Sequence, residues 1–428
     1  MPGQKHLRSL LVAAFALETL CVTYGLKAPR AAPFLAVPYF LAGTALAVLL
    51  LYFPRLELTI LRRQPGKGLT GWFTRTHQYK LIVLALLALC MHTLCRYWFD
   101  EIPLDINYAD MLPIIKVMDQ RFLAGHWTHI YDTIPSIWNG VQPIYLPAMW
   151  QPFTLAVLFD IDMRWITVAG LLFSFGIFLF IYRPERRNYT SFLTGVLAFV
   201  LFWWIFADDM PGVITVSEEG VVIAYYVLLV LALLSGNVLL TGIAVSLCML
   251  SRYALVGWIP AYLLYLFLHR KGRQAVLFTL VGLVCFLLLF LMPVGWDRFM
   301  SLAKLPGNYI RFAAIVWQDS PDVFSSSLGF AGFFGPSRIA LLHGFLVALS
   351  FIVPSLFVLI SYFRGRTREF ANVPLAALKM SLVVFYSFID VPYLYLFYTS
   401  SFVSLILVAF VVSRQSNDPA SGALRSAR

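Results

Sequence analysis

The chemistry available to this chain is concentrated in one stretch, Asp100 to Pro152. Six carboxylates, Asp100, Glu101, Asp105, Asp110, Asp119 and Asp132, are accompanied there by only Lys116 and Arg121, in a chain of net charge +11. A carboxylate held at the mouth of a cavity can take a proton from a hydroxyl nucleophile, which puts Asp105 and Asp110 at the head of the candidates. Each also has a plainer reading. Asp110 stands where a helix N-cap would fall, and Asp105 sits where a loop charge meets water. Trp127, Tyr131, Trp138, Tyr145 and Trp150 follow, and such rings stack on the C–H faces of sugars or settle at a membrane interface. His126 and His129 alone make a weak metal signal, because a zinc site needs more ligands than two.

Further candidates lie downstream. Asp208, Asp209, Glu218 and Glu219 form a second acidic connection with no basic residue in it. Arg252, in LCMLSRYALVGWIP, is isolated between two short apolar runs, where a guanidinium is costly unless it pairs or faces a polar cavity. It could grip a lipid phosphate through two parallel hydrogen bonds, or form an ion pair with one of the nearby acidic residues. Lys304, Arg311 and Arg338 supply more cations before the last apolar segments, and Asp390 is either a loop charge or a cavity-lining acid.

The elements that must position these residues are apolar. Of 428 residues 60% are hydrophobic and 12% charged, and the mean hydropathy is +0.80. These values describe an all-α, polytopic membrane bundle rather than a soluble domain or a barrel with alternating strands. About twelve runs approach the length of a span: 8–26, 34–53, 80–99, 165–182, 190–207, 221–235, 237–250, 254–269, 275–293, 339–362, 374–389 and 393–413. They form one domain over 1–413, with 414–428 a polar cytoplasmic tail.

Basic clusters orient the bundle. Arg55, Arg62, Arg63, Lys67, Arg75 and Lys80 crowd one connection; Arg183, Arg186 and Arg187, then Arg270, Lys271 and Arg273, then Arg364, Arg366 and Arg368 crowd three more. The positive-inside bias puts these inside and the loops 100–144, 208–220 and 297–338 outside. Counting Tyr145–Phe159 as a crossing would reverse that pattern, and Pro147 and Pro152 interrupt it, so it reads as a re-entrant or juxtamembrane segment on the outer face. Met111, Ile115, Met118 and Phe122 recur at helical spacing before Gly125, with Lys116, Asp119 and Gln120 on other faces, as in an amphipathic interfacial helix. Basic residues beside apolar runs set orientation, so nucleic acid is not an expected partner. The five cysteines lie within apolar runs and read as buried thiols.

An outer loop with an early Asp (Asp110), an amphipathic helix ending in Gly (Gly125), a Tyr-Asp pair (Tyr131, Asp132) and a Tyr-x-Pro segment (Tyr145, Pro147) resembles the GT-C superfamily of integral-membrane glycosyltransferases. Within it the pattern is most similar to bacterial polyprenyl-phosphate-mannose-type enzymes. A later match surrounds Ser251-Arg252-Tyr253, with Pro260 farther along than the family places it. Two spans precede the catalytic loop where the family usually begins with the span leading into it, and Glu218-Glu219-Gly220 stands where relatives often have Gly-Gln. The resemblance covers about residues 80–270.

The resemblance implies a multi-pass protein of the bacterial inner membrane whose active site (outer loop 100–160) faces the periplasm. A polyprenyl-phosphate-linked sugar would be the donor and a lipid, glycan or protein hydroxyl the acceptor, with inversion at the anomeric carbon. Asp110 or Asp105 would be the base; Arg252, Arg311, Lys304 and Arg338 would receive the phosphate. His129, Tyr131, Asp132, Trp138, Tyr145, Glu218 and Glu219 would line the sugar and acceptor sites. No cofactor is called for, and a divalent metal stays open. A secondary transporter also places charge inside a bundle, but no repeated halves accompany it here. A non-catalytic envelope-assembly role would leave the acidic loop tolerant of neutral substitution.

Overall fold

The computed structural model describes residues 2–27, 32–58, 75–137, 140–184, 188–207, 212–303, 309–365 and 370–413. Asp208, Asp209, Lys304, Trp138 and the tail 414–428 lie outside the described residues, as do Arg62, Arg63, Lys67, Arg186, Arg187, Arg366 and Arg368.

The described chain is helical, with one isolated bridge between Ile134 and Val141. Helices α1 (Pro2–Lys27), α2 (Ala32–Leu50) and α3 (Arg75–Glu101) lead to the amphipathic α4 (Met111–Leu123). The segment expected to be re-entrant is a broken string, α5 (Pro147–Trp150), a 3-10 turn (Gln151–Phe153) and α6 (Thr154–Leu158). Then come α7 (Arg164–Ile181), α8 (Tyr189–Phe206), α9 (Gly212–Thr215), α10 (Glu219–Ser235), α11 (Val238–Met249), α12 (Trp258–Leu268) and α13 (Gly272–Phe286). Short helices α14 (Met292–Val294), α15 (Trp296–Ala303), α16 (Tyr309–Asp319), α17 (Asp322–Ser325) and α18 (Ala331–Phe334) precede α19 (Ile339–Gly365), α20 (Val373–Phe388) and α21 (Phe397–Ser413).

Each of the twelve apolar runs falls on a helix. Among the described residues, seven helical segments are long and apolar enough to cross a membrane: Gln4–Gly25, Gln78–Glu101, Arg164–Ile181, Tyr189–Phe206, Gly272–Val294, Pro336–Gly365 and Leu394–Ser413. Five more are apolar but shorter: Phe34–Leu50, Glu219–Ser235, Val238–Met249, Tyr253–Leu268 and Val373–Phe388. This is the fold of a helical membrane protein. Its centre is α21, buried at every residue from Phe397 to Ala409 and packed against α1, α7, α8, α10 and α20.

Side-chain ties join helix ends that flank three of the basic connections. Lys80 Nζ, at the start of α3, donates to the carbonyls of Phe180 (2.8 Å) and Tyr182 (2.9 Å) at the end of α7. The Arg183 amide reaches Ser413 Oγ at the end of α21 (3.0 Å), and Asn372 Nδ2 caps α2 through Leu50 O (3.1 Å) and Phe53 O (2.9 Å). At the opposite ends of α3 and α7 Arg164 donates to Ile102 O (2.5 Å) and Phe99 O (3.2 Å), satisfying carbonyls that the end of α3 leaves open. The acidic loop therefore starts from a fixed point.

Two close approaches set the site's framework. α7 and α10 meet at Gly170 and Gly220, where a Cβ on Gly220 would stand 2.1 Å from Thr167 O and one on Gly170 2.2 Å from Gly220 O. The broken segment from α5 to α6 meets the tip of the α11–α12 hairpin, with the Ala148 amide donating to Leu250 O (3.0 Å). Farther out, α13 passes into a π-helical turn over Leu287–Leu291, and Gln151 Nε2 donates to the Leu289 carbonyl there (3.0 Å).

Candidate functional site

Arg252 sits at the break between α11 and α12, its backbone extended (φ −156°, ψ 140°). Ser251 Oγ bonds back to Cys248 O (2.8 Å), and the Arg252 amide takes the same carbonyl (2.8 Å), which closes α11 and turns the guanidinium toward α10. There Nη1 donates to Glu219 Oε2 (2.6 Å) and Nη2 to Glu218 Oε1 (3.0 Å). Glu219 is fully buried and the Arg252 side chain is 11% exposed. Of the two readings of Arg252 from the sequence, the structure contains the ion pair, and it pairs with both glutamates.

The glutamates are held from three sides. Thr167 on α7 donates to Ser217 O (2.8 Å), the Ser217 hydroxyl receives the Glu219 amide (3.3 Å), and Thr399 on α21 donates to Glu219 Oε1. A carboxylate in the first turn of α10 also gains from the helix dipole. The remaining Glu218 oxygen, Oε2, is buried without a partner. Tyr386 and Tyr395 flank the guanidinium.

Tyr395 carries this centre outward to the acidic loop, its hydroxyl on Met111 Sδ (3.2 Å). Met111 opens α4, and Asp110 immediately before it occupies the N-cap position without a side-chain cap bond (φ −88°, ψ −17°). The capping reading of Asp110 is thus not what its side chain does. Burial raises the Asp110 carboxyl above the ordinary aspartate range. Asp105 is exposed and folded on itself, accepting from the Asn107 amide and Nδ2 (2.9 Å each), a solvated Asx turn.

A second, more open cluster holds the Tyr-Asp pair. His129 Nδ1 meets Asp132 Oδ2 at 2.6 Å, and Arg298 on α15 pairs with Asp132 Oδ1. The His129 hydrogen bond foremost, then the Arg298 charge, hold the Asp132 carboxyl below its ordinary range. Arg121 pins the loop through the carbonyls of Ile130 (3.3 Å), Asp132 (2.5 Å) and Thr133 (3.1 Å). Tyr131 is buried, its hydroxyl donating to Tyr145 O (2.8 Å) and accepting from Trp150 Nε1 (3.1 Å), so it clamps the broken segment to the loop. Arg311 and Arg338 are exposed on α16 and at the start of α19.

Three groups at this end escaped the sequence reading. Arg298 and His343 are ordinary-looking residues until their partners are known; His343 Nδ1 meets the buried Asp390 Oδ2 at 2.7 Å. Asp119, placed off the apolar face of α4 by periodicity, is instead fully buried with neither oxygen partnered, on the side of the helix that also buries Leu112 and Ile115. Burial pushes its carboxyl up to about 9. Between its ordinary 3.8 and about 9 the folded chain holds a proton that the unfolded chain releases, so stability falls as pH rises through that window. Asp119→Asn is expected to raise the thermal midpoint at pH 8 and flatten its dependence between pH 5 and 8; equal slopes in parent and variant would refute a neutral buried carboxyl.

Among the described residues no three His, Cys, Asp or Glu side chains converge as metal ligands. Comparison with protein-family models, curated proteins and solved structures returns no match.

Proposed function

We propose that this protein is a membrane glycosyltransferase of GT-C type that moves a sugar from a polyprenyl-phosphate donor to an acceptor hydroxyl at the acidic end of the bundle. In this reading all twelve apolar helices belong to the membrane, the five short ones included, in a bacterial inner membrane with the acidic end toward the periplasm. The observation that carries the reading is Asp110, an uncapped, part-buried carboxylate at the start of an amphipathic helix, one residue from the Met111–Tyr395 contact that leads to the Glu219–Arg252 centre.

The acceptor oxygen attacks the anomeric carbon and its proton passes to Asp110. The bond from that carbon to the phosphate oxygen breaks, and its electron pair leaves with the lipid phosphate. Both terminal nitrogens of Arg252 are engaged by carboxylates, so the cations proposed to receive the departing phosphate are Arg311, Arg338 and Lys304. Arg252 serves there by fixing the outer end of α10 against the α11–α12 hairpin. His129, Tyr145 and Trp138 are the proposed sugar and acceptor contacts.

The test is transfer of labelled sugar by purified protein in lipid across a panel of polyprenyl-phosphate donors. Asp110→Asn is expected to abolish transfer while donor binding survives, and Asp105→Asn to retain it. The buried Glu18–Lys379 pair in the bundle interior is the feature that would favour a transporter. No transfer with any donor, together with solute flux into vesicles, would replace the transferase reading by that one.

A further inference from the structure

A second ionic centre lies deeper in the bundle, among helices outside the stretch that resembles a transferase. Glu18 on α1 and Lys379 on α20 are both fully buried, with Nζ 2.5 Å from Glu18 Oε1. Lys379 spends its other donors on α21, reaching Ser400 Oγ (2.7 Å) and Ser400 O (3.2 Å). Glu18 is completed from the same helix by Ser400 Oγ (3.2 Å) and by Ser404 Oγ on Oε2 (2.7 Å). All three ammonium donors and both carboxylate oxygens are therefore satisfied.

Such a pair is poor value as a stabiliser, since well-packed apolar residues often do as well, so its use lies in the geometry it imposes. That geometry converges on α21. Ser400 is gripped by the deep pair, while its neighbour Thr399, about 100° around the helix, donates to Glu219 in the outer centre. α20 repeats the arrangement, with Lys379 in the deep pair and Tyr386, seven residues or about 10 Å farther along the helix, beside Arg252. A small rotation of α21 that relaxed one centre would strain the other.

We infer that the Glu18–Lys379 pair is a positioning device through which the N-terminal hairpin α1–α2 sets the rotation of α21, and with it Thr399, Glu219 and Tyr395 in the outer centre. The positioning stands on these contacts alone; its effect on sugar transfer rests on the reading proposed above. Glu18 and Lys379 touch no substrate in this scheme and act through Ser400 and Thr399.

The experiment places a single 3-fluorotyrosine at Tyr395 and records its fluorine resonance in the full chain in lipid nanodiscs. Two variants are compared with the parent: Ser400→Ala, which removes the hydroxyl on α21 but leaves the ion pair, and the charge-free double variant Glu18→Gln/Lys379→Met. Both are checked for folding by gel filtration and thermal midpoint. Positioning predicts that the resonance moves in each folded variant and that transfer, measured in parallel, loses about tenfold in kcat with KM within about twofold. A resonance unmoved in either folded variant overturns the inference, and Ser400→Ala decides alone if the double variant does not fold. A parent without transfer activity would remove the transferase reading, and the fluorine result would still decide the positioning.

Discussion

Arg252→Met is expected to cost about 3–5 kcal/mol of stability. The substitution leaves Glu219, fully buried, and Glu218, nearly so, side by side without their cation. Neither carboxylate can turn to water, because Thr399 and the Ser217 turn hold the segment where it is. The loss belongs to the stranded charges rather than to the missing contact, since breaking one side of a buried pair is far worse than removing both. Arg252→Met combined with Glu218→Gln and Glu219→Gln is therefore expected to recover most of the thermal midpoint, the new amides keeping partners such as Thr399. Arg252→Lys falls between, because an ammonium keeps the charge but not the planar fork that reaches two carboxylates at once. Thermal unfolding of the four proteins in one detergent measures this. A stability for Arg252→Met within about 1 kcal/mol of the parent's would mean that water reaches the pair and that the centre is not sealed.

The same residue shows where sequence reading works and where it stops. Twelve apolar runs were legible because length and hydrophobicity are both local properties, and every one of them falls on helical structure, seven of them long and apolar enough to cross a membrane among the described residues. The amphipathic α4 and the interruption at Pro147 and Pro152 were legible for the same reason. Arg252 could be recognised as costly, but its partners stand 33 and 34 residues away, and the sequence left a phosphate and a carboxylate equally eligible. Arg298 meets Asp132 across 166 residues and Lys379 meets Glu18 across 361, so nothing in the local pattern marks them as partners. A lone Glu in one apolar run and a lone Lys in another was the available signal for the last pair, since each charge at that depth needs a partner. Asp119 failed differently. Helical spacing set Lys116 and Gln120 correctly on the exposed side of α4, but Asp119 stands seven residues after Leu112 and four after Ile115, on the side the structure buries, and a carboxylate on an apolar face gives no sign in the pattern of how deep it lies.

The outer centre also depends on two residues that contribute no side chain at all. Gly220 follows Glu219 directly, and its α-carbon lies so near α7 that an added Cβ would stand 2.1 Å from the Thr167 carbonyl oxygen and 2.8 Å from its carbon. The contact is reciprocal, because a Cβ on Gly170 would meet Gly220 O at 2.2 Å. Small residues at such crossings let membrane helices approach to backbone contact, and no rotamer change relieves a clash with a carbonyl. Gly220→Ala must therefore push α10 from α7, loosening the Thr167–Ser217 bond and drawing Glu219 from Arg252. The expected loss is at or above the upper end of overpacking penalties, about 3 kcal/mol. Gly344→Ala is the matched control: it lies within α19, a Cβ there meets nothing within 4 Å, and alanine suits a helix better than glycine. Its midpoint should hold or rise. A Gly220→Ala protein that melts with the parent and keeps the parent's Tyr395 fluorine resonance would show that α7 and α10 are not in backbone contact, and that Glu218 and Glu219 are held at Arg252 by charge alone.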